Sequence, residues 1–185
     1  MVLVLVVGDL HIPNRAANIP EQFRKMFTPG RINLVLITGN CCNKETYEYF
    51  KTLTADVHCT QGEFDDWKSD LPETHVMEIE DLRVGLLHGH QVVPWGDKDT
   101  LAIWQRKLDV DVLISGHTHQ SKTFEFDGKL FINPGSITGA FTPFDCDVPP
   151  SFVLMDIKEK TVTVFSYQYA GPDQEMKIRK KVWTK

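Results

Sequence analysis

Four short apolar runs, Leu3 to Val7, Leu34 to Thr38, Leu82 to Leu87 and Val112 to Ser115, are built mostly from Val, Ile and Leu, and each gives way to glycine and polar residues. Runs of this length without polar alternation fit strands buried on both faces, which need a largely parallel sheet covered by helices. Helical spacing over Pro20 to Phe27, Lys44 to Leu53 and Asp99 to Leu108 supplies those covers. After residue 120 the pattern changes. Thr123 to Phe126 and Lys129 to Asn133 flank Asp127-Gly128, a hairpin turn signature, and Ser151 to Ile157 and Thr161 to Tyr169 read as a second antiparallel pair. Together these predict an α/β chain with two sheets packed as a sandwich and flanked by helices. Residues 1–185 read as one domain, in which Thr138 to Pro150, with three prolines, is a long loop.

A net charge of -5 gives no general basic field, which argues against nucleic acid and against direct membrane binding. The opening run Val2 to Val7 is too short for a membrane helix and has no basic flank. Lys177, Arg179, Lys180, Lys181 and Lys185 gather near the end, where they read as a solvated terminus. Cys41, Cys42, Cys59 and Cys146 lack the spacing of a zinc knuckle or redox pair, so reduced thiols in the cytoplasm are expected.

Metal-type residues fall at the strand ends. Asp9 and His11 follow the first strand, Asn40 the second, Glu63 and Asp65 the short run Val57 to Thr60, His88 and His90 a later strand, and His117 and His119 the run Val112 to Ser115. In open α/β sheets the loops at the carboxyl ends of strands build the ligand crevice, so residues far apart in sequence can converge there. Five of the seven histidines lie in these clusters, which favours one convergent site over scattered surface histidines.

The blocks Gly8-Asp9-Leu10-His11, Thr38-Gly39-Asn40, Gly62-Glu63-Phe64-Asp65, His88-Gly89-His90 and Gly116-His117-Thr118-His119 resemble, in order, those of the calcineurin-like metallophosphoesterases. The resemblance implies that Asp9, His11 and His119 hold one metal ion and Glu63, His88 and His117 another, with Asn40 between them. Nitrogen and oxygen ligands suit Zn or Mn. Three departures from the enzyme pattern are expected to silence it. Asn40 stands where an Asp bridges the two ions, and Glu63 stands where an Asn is usual. Phe64 replaces the histidine that protonates the leaving group, and general acid catalysis of that kind contributes about 10²- to 10⁴-fold. Weak, nonessential metal binding is therefore expected, and a weak metal-dependent phosphodiesterase is the rival reading.

These replacements, with the segments Gly89 to Asp97, Asn133 to Ser136 and Pro150 to Asp156, resemble the small-subunit family of retromer. That resemblance implies a noncatalytic scaffold in endosome-to-Golgi retrograde transport of membrane proteins. It also implies a cytoplasmic location with peripheral recruitment to endosome membranes, and an α-solenoid large subunit as partner. Val92, Val93, Pro94 and Trp95 are expected on the cleft rim at that interface, with Trp95 otherwise folding back on the helix Asp99 to Leu108. Leu154, Tyr167 and Tyr169 are expected to form a second apolar patch for regulatory proteins, since only alternate residues of a strand face the core.

Overall fold

A computed structural model describes residues 1–67, 70–171 and 175–185. The strands are β1 (Val2–Val7), β2 (Leu34–Ile37), β3 (Val57–Cys59), β4 (Thr74–Ile79), β5 (Leu82–Leu87), β6 (Val112–Ile114), β7 (Lys122–Phe126), β8 (Lys129–Asn133), β9 (Ser151–Lys158), β10 (Thr161–Gln168) and β11 (Lys177–Thr184). The helices are α1 (Glu21–Met26), α2 (Lys44–Lys51) and α3 (Lys98–Leu108). Sequence-specific caps fix where the longer helices begin. The Asn43 side chain accepts from Thr46 N–H at 2.7 Å ahead of α2, and Asp97 accepts from Thr100 N–H at 2.9 Å ahead of α3.

One sheet runs β11-β10-β9-β1-β2-β3 and the other β4-β5-β6-β8-β7. Their inner faces share a core in which Val4, Val6, Leu36, Leu86, Ile114, Ile132, Val153 and Met155 are almost wholly excluded from water. α1 and α2 cover the outer face of the first sheet through Phe23, Tyr47 and Phe50. α3 covers the second through Leu101 and Ala102. This is the helix-flanked two-sheet sandwich expected from the sequence. Because β1, β2 and β3 are parallel, as are β5 and β6, the carboxyl ends of each set point the same way and their loops gather at one edge.

Two strands depart from the sequence expectation. β4 pairs antiparallel with β5 across the two-residue turn Glu80-Asp81, an element the sequence reading left unassigned. The basic run expected to be a solvated terminus is β11, paired with β10 from Thr161↔Thr184 to Gln168↔Lys177. Trp183 anchors it in the core at 4% exposure, and its lysines sit on a sheet edge, where charge discourages pairing with another chain.

Candidate metal centre

The polar strand ends converge. Ligand-type atoms of Asp9, His11 and His119 lie within 4.8 Å of one another, and so do those of Glu63, His88 and His117. Positive φ angles at Asp9 (49°), His11 (49°), Asn40 (53°), His117 (69°) and His119 (57°) turn these side chains inward from tight loops. Non-glycine residues adopt that conformation reluctantly, and such strain concentrates at functional sites. Gly116 has a separate reason to be glycine, since a Cβ there would collide with Thr38 Oγ1.

Neighbouring loops hold the cluster. Asp65 is buried and receives N–H groups from Asn40 (2.7 Å), Gly62 (2.9 Å), Cys42 (2.8 Å) and the Trp67 indole (3.1 Å). It therefore ties the β2 and β3 loops together and has no ligand role. His117 N–H donates to Asp9 Oδ2 at 2.8 Å. Asn133 Nδ2 donates to Gly116 O and Thr118 Oγ1, while Ser136 Oγ donates to Asp9 O. Asn133 and Ser136 belong to a segment already singled out in the sequence. Their supporting role was not legible, because it depends on β8 ending beside β1's loop.

Backbone carbonyls fix two ring tautomers. Thr38 O faces His88 Nδ1 at 3.1 Å and Ala140 O faces His119 Nδ1 at 2.6 Å. A carbonyl can only accept, so each Nδ1 carries hydrogen and each Nε2 is left to face the site, as in a ligating histidine. Asp9 Oδ1 is buried without a hydrogen-bond partner, 3.6 Å from His119 Nε2 and 3.8 Å from His88 Nε2. A lone carboxylate oxygen among imidazole nitrogens fits a cation, and the nitrogen and oxygen donors fit Zn or Mn.

Charge is set by the same contacts. Burial opposes ionisation of Glu63, but hydrogen bonds from His117 (2.9 Å) and His88 (2.6 Å) outweigh it and hold its carboxyl well below the usual range. Burial likewise disfavours the His88 imidazolium, yet Glu63 and Asp9 raise its pKa above the ordinary value. Burial, reinforced by His119, pushes His11 down to about 3. A neutral His11 keeps a lone pair free to bind metal.

Asn40 decides how the two halves relate. Its Oδ1 accepts Phe64 N–H at 3.0 Å. Its Nδ2 consequently faces inward, 3.0 Å from His88 Nε2, 3.4 Å from His11 Nε2 and 3.1 Å from Glu63 Oε2. An amide NH₂ offers hydrogens and no usable lone pair, so the group between the two triads is a donor where a shared metal pair needs an anion.

The cleft is a cavity of about 560 Å³, with Arg15, Phe64, Trp95 and Phe144 among its walls. Phe64 meets His11 edge-on at 5.4 Å and lies beneath the Arg15 guanidinium. Trp95 at 52% and Phe144 at 84% exposure line the cleft, and Val93 at 68% and Phe141 at 48% are exposed in the same two loops. Phe141 and Phe144, inside the long loop, were not picked out from sequence. Trp95 stacks edge-on against His117 at 4.4 Å and so lies over the cleft, with no fold-back onto α3. Val92 does not join this rim. It is 1% exposed beneath α3 with Leu87 and Leu101, because its N–H bonds back to Gly89 O in a tight turn that points it inward. Val93 and Pro94 remain exposed.

Leu154 and Tyr167 are half-buried on the outer face of the first sheet. Tyr167 stacks on the buried Phe152 at 4.7 Å, and Tyr169 approaches Phe23 at 6.2 Å. Strand register places the exposed Ile178 beside Tyr167 on that face.

Residues 2–160 match the calcineurin-like phosphoesterase superfamily domain. The chain is 36% identical to vacuolar protein sorting-associated protein 29 of Schizosaccharomyces pombe, covering 99% of this chain and 98% of that protein. Its structure is similar to that of Vps29 from Chaetomium thermophilum, with a TM-score of 0.94 and 38% identity over 100% of both chains. Wild-type Vps29 of Entamoeba histolytica complexed with Zn²⁺ gives a TM-score of 0.90 at 48% identity, covering 97% of this chain and 98% of that one. Sequence and structure therefore agree that the chain belongs to the Vps29 family of calcineurin-like phosphoesterase-fold proteins.

Proposed function

We propose that this protein is the small, noncatalytic scaffold subunit of a retromer cargo-recognition complex, and that it docks the rim of its metal cleft onto the large α-solenoid subunit. The observation that carries the reading is the exposed apolar wall of Phe64, Trp95 and Phe144 in a cleft of metal-ligand residues, with Val93 and Phe141 exposed in the same loops as Trp95 and Phe144. An enzyme's cleft must admit a hydrated phosphate ester, whereas an exposed aromatic rim marks a surface that is buried against another protein. Phe64 adds the chemical argument, because it occupies the cleft wall with a ring that cannot deliver a proton. A bound Zn or Mn ion would polarise a phosphoryl oxygen or organise the loops. The ligands proposed for it are Asp9, His11 and His119 on one side and Glu63, His88 and His117 on the other, while Asn40 donates between them.

No helix among the described residues is long and apolar enough to cross a membrane. Recruitment to endosomes for retrograde transport then runs through the complex, and the half-exposed patch of Leu154, Tyr167 and Tyr169 takes regulatory proteins. The rival reading, a weak phosphodiesterase, is tested by assaying an aryl phosphodiester with added Zn²⁺ or Mn²⁺. Turnover at the level of the uncatalysed control is expected. Robust hydrolysis that disappears in His117→Ala would overturn the noncatalytic reading.

A further inference from the structure

At the lateral edge of the first sheet, near the carboxyl end of β10 and two residues past His119 in the chain's other sheet, β10 and β11 place four polar side chains on one face. Ser166 pairs with Arg179 and Gln168 with Lys177. Residues directly opposite in an antiparallel pair project side by side, with Cβ atoms about 4.5–5.5 Å apart. Ser121, just ahead of β7 in the other sheet, closes the fifth side of the recess. The recess is about 60 Å³, roughly the room that several water molecules need.

None of these five side chains makes a hydrogen bond or ion pair with another described residue, and among the described residues no carboxylate lines the recess. Two unpaired cations side by side repel, and this chain has acids to spare at a net charge of -5. Lys129 and Lys185, by contrast, both bond Asp111 at 2.8 Å. Here a guanidinium and an ammonium bring positive charge with no carboxylate among the described lining residues, and two hydroxyls and an amide NH₂ add further donors.

The geometry points to a binding site for a phosphomonoester dianion in the recess of Ser121, Ser166, Gln168, Lys177 and Arg179. A tetrahedral oxyanion accepts from several directions at once, which suits donors converging from two strands and a loop, and its double charge matches Lys177 plus Arg179. A carboxylate would use one fork of the arginine and leave the hydroxyls idle. A nucleoside would need a wider pocket and an aromatic platform, and the recess offers neither. The two cations are exposed, so binding should be weak and should fall with added salt.

The phosphate can be carried by a soluble metabolite or by a lipid headgroup, and the test separates them. Amide spectra of the ¹⁵N-labelled protein are followed while inorganic phosphate or a soluble inositol monophosphate is added, with chloride at equal ionic strength as control. Saturable shifts are expected at Ser121, Ser166, Gln168 and Arg179. Arg179→Ala should weaken them about tenfold, the loss of one charged hydrogen bond. Lys177→Ala/Arg179→Ala should abolish them with the melting temperature unchanged, because both residues lie on an exposed edge. Gln168→Ala, which leaves both cations in place, should weaken them less. Sedimentation with phosphatidylcholine vesicles, with and without a phosphatidylinositol monophosphate, then identifies the source. Sedimentation that depends on that lipid and on Arg179 assigns a headgroup, and phosphate binding without it assigns a soluble ligand. Shifts equal to those of chloride, shifts that persist in the double variant, or shifts confined to the cleft around His88 and His117 would overturn the proposal.

Discussion

Asn40 stands at the point where this site parts from the enzyme pattern its blocks resemble. With Oδ1 committed to Phe64 N–H, its amide hydrogens point at one acceptor from each triad, His11 Nε2 and Glu63 Oε2. The amide thus does in the metal-free protein part of what a cation would do, satisfying lone pairs that would otherwise be buried and unpaired. Asn40→Asp removes those hydrogens and sets a third carboxylate beside Glu63 and Asp9. In chelator the variant should be less stable than wild type by about 2 kcal/mol, the usual cost of leaving buried polar groups unsatisfied. With Zn²⁺ it should gain more stability than wild type, since the bridging charge is restored and metal binds only the folded state. Thermal melts with and without Zn²⁺ check both arms, and equal stability in chelator would show that the amide contacts contribute nothing. The clustering of ligand-type side chains was legible in the sequence, because each lies just after an apolar run beside a glycine and the blocks keep their order. Asn40's orientation was not, because it depends on a backbone N–H from the β3 loop.

At the scale of elements, strands and helices whose signals are local were readable, and those whose signals lie in a partner were not. Asp127-Gly128 announced the β7–β8 hairpin, with both residues at positive φ (49° and 68°). The β4–β5 and β9–β10 turns place Glu80 (54°) and Glu159 (53°) in the same region, and nothing about glutamate signals that. β4 went unassigned for this reason, although β9 and β10 declared themselves by their apolar content. β11 was concealed by its charge: Lys177, Arg179, Lys180 and Lys181 look like a terminus until Trp183 is seen to be buried. Val92 failed in the opposite direction, since apolar character in a loop does not say which way a side chain points. The outer face of β9 and β10 carries a testable consequence. Val153 and Met155 fill the core between the sheets, while Leu154 faces away from it and stays half-exposed. Leu154→Glu should keep the circular dichroism spectrum and melting temperature close to wild type and remove regulatory proteins from the material that co-purifies with the tagged chain. An unfolded variant would place Leu154 in the core.

Across the whole molecule, the fold is held by the two-sheet core and its helical covers, and the site is set into the loops at one edge. Asp111 shows how charge joins distant parts of this frame. It accepts from Arg83 N–H on β5, from Lys129 on β8 and from Lys185 just past β11. Burial works to raise its pKa, but the two lysines and the Arg83 N–H hold it down to about 2. A depressed carboxyl stabilises the fold above the ordinary aspartate pKa, near 4, and that contribution fades as pH falls toward 2. Asp111→Ala should therefore lower stability by about 2 kcal/mol at neutral pH, with the gap to wild type narrowing below about pH 4 in denaturant titrations. A gap that stays constant down to pH 2 would show that the charge is not what Asp111 contributes.

The central claim is that the cleft edge is a docking surface rather than the mouth of an active site. Val93 is its most direct probe, because it is 68% exposed two residues before Trp95 and belongs to none of the buried core clusters. Val93→Asp places a carboxylate where docking would bury it unpaired, at a cost of several kcal/mol to the contact and almost none to the free protein. Titration calorimetry of the purified protein against the α-solenoid large subunit should show binding by wild type and none by Val93→Asp, while both melt at the same temperature. Equal affinity for the two proteins would contradict the account and place the interface elsewhere on the molecule.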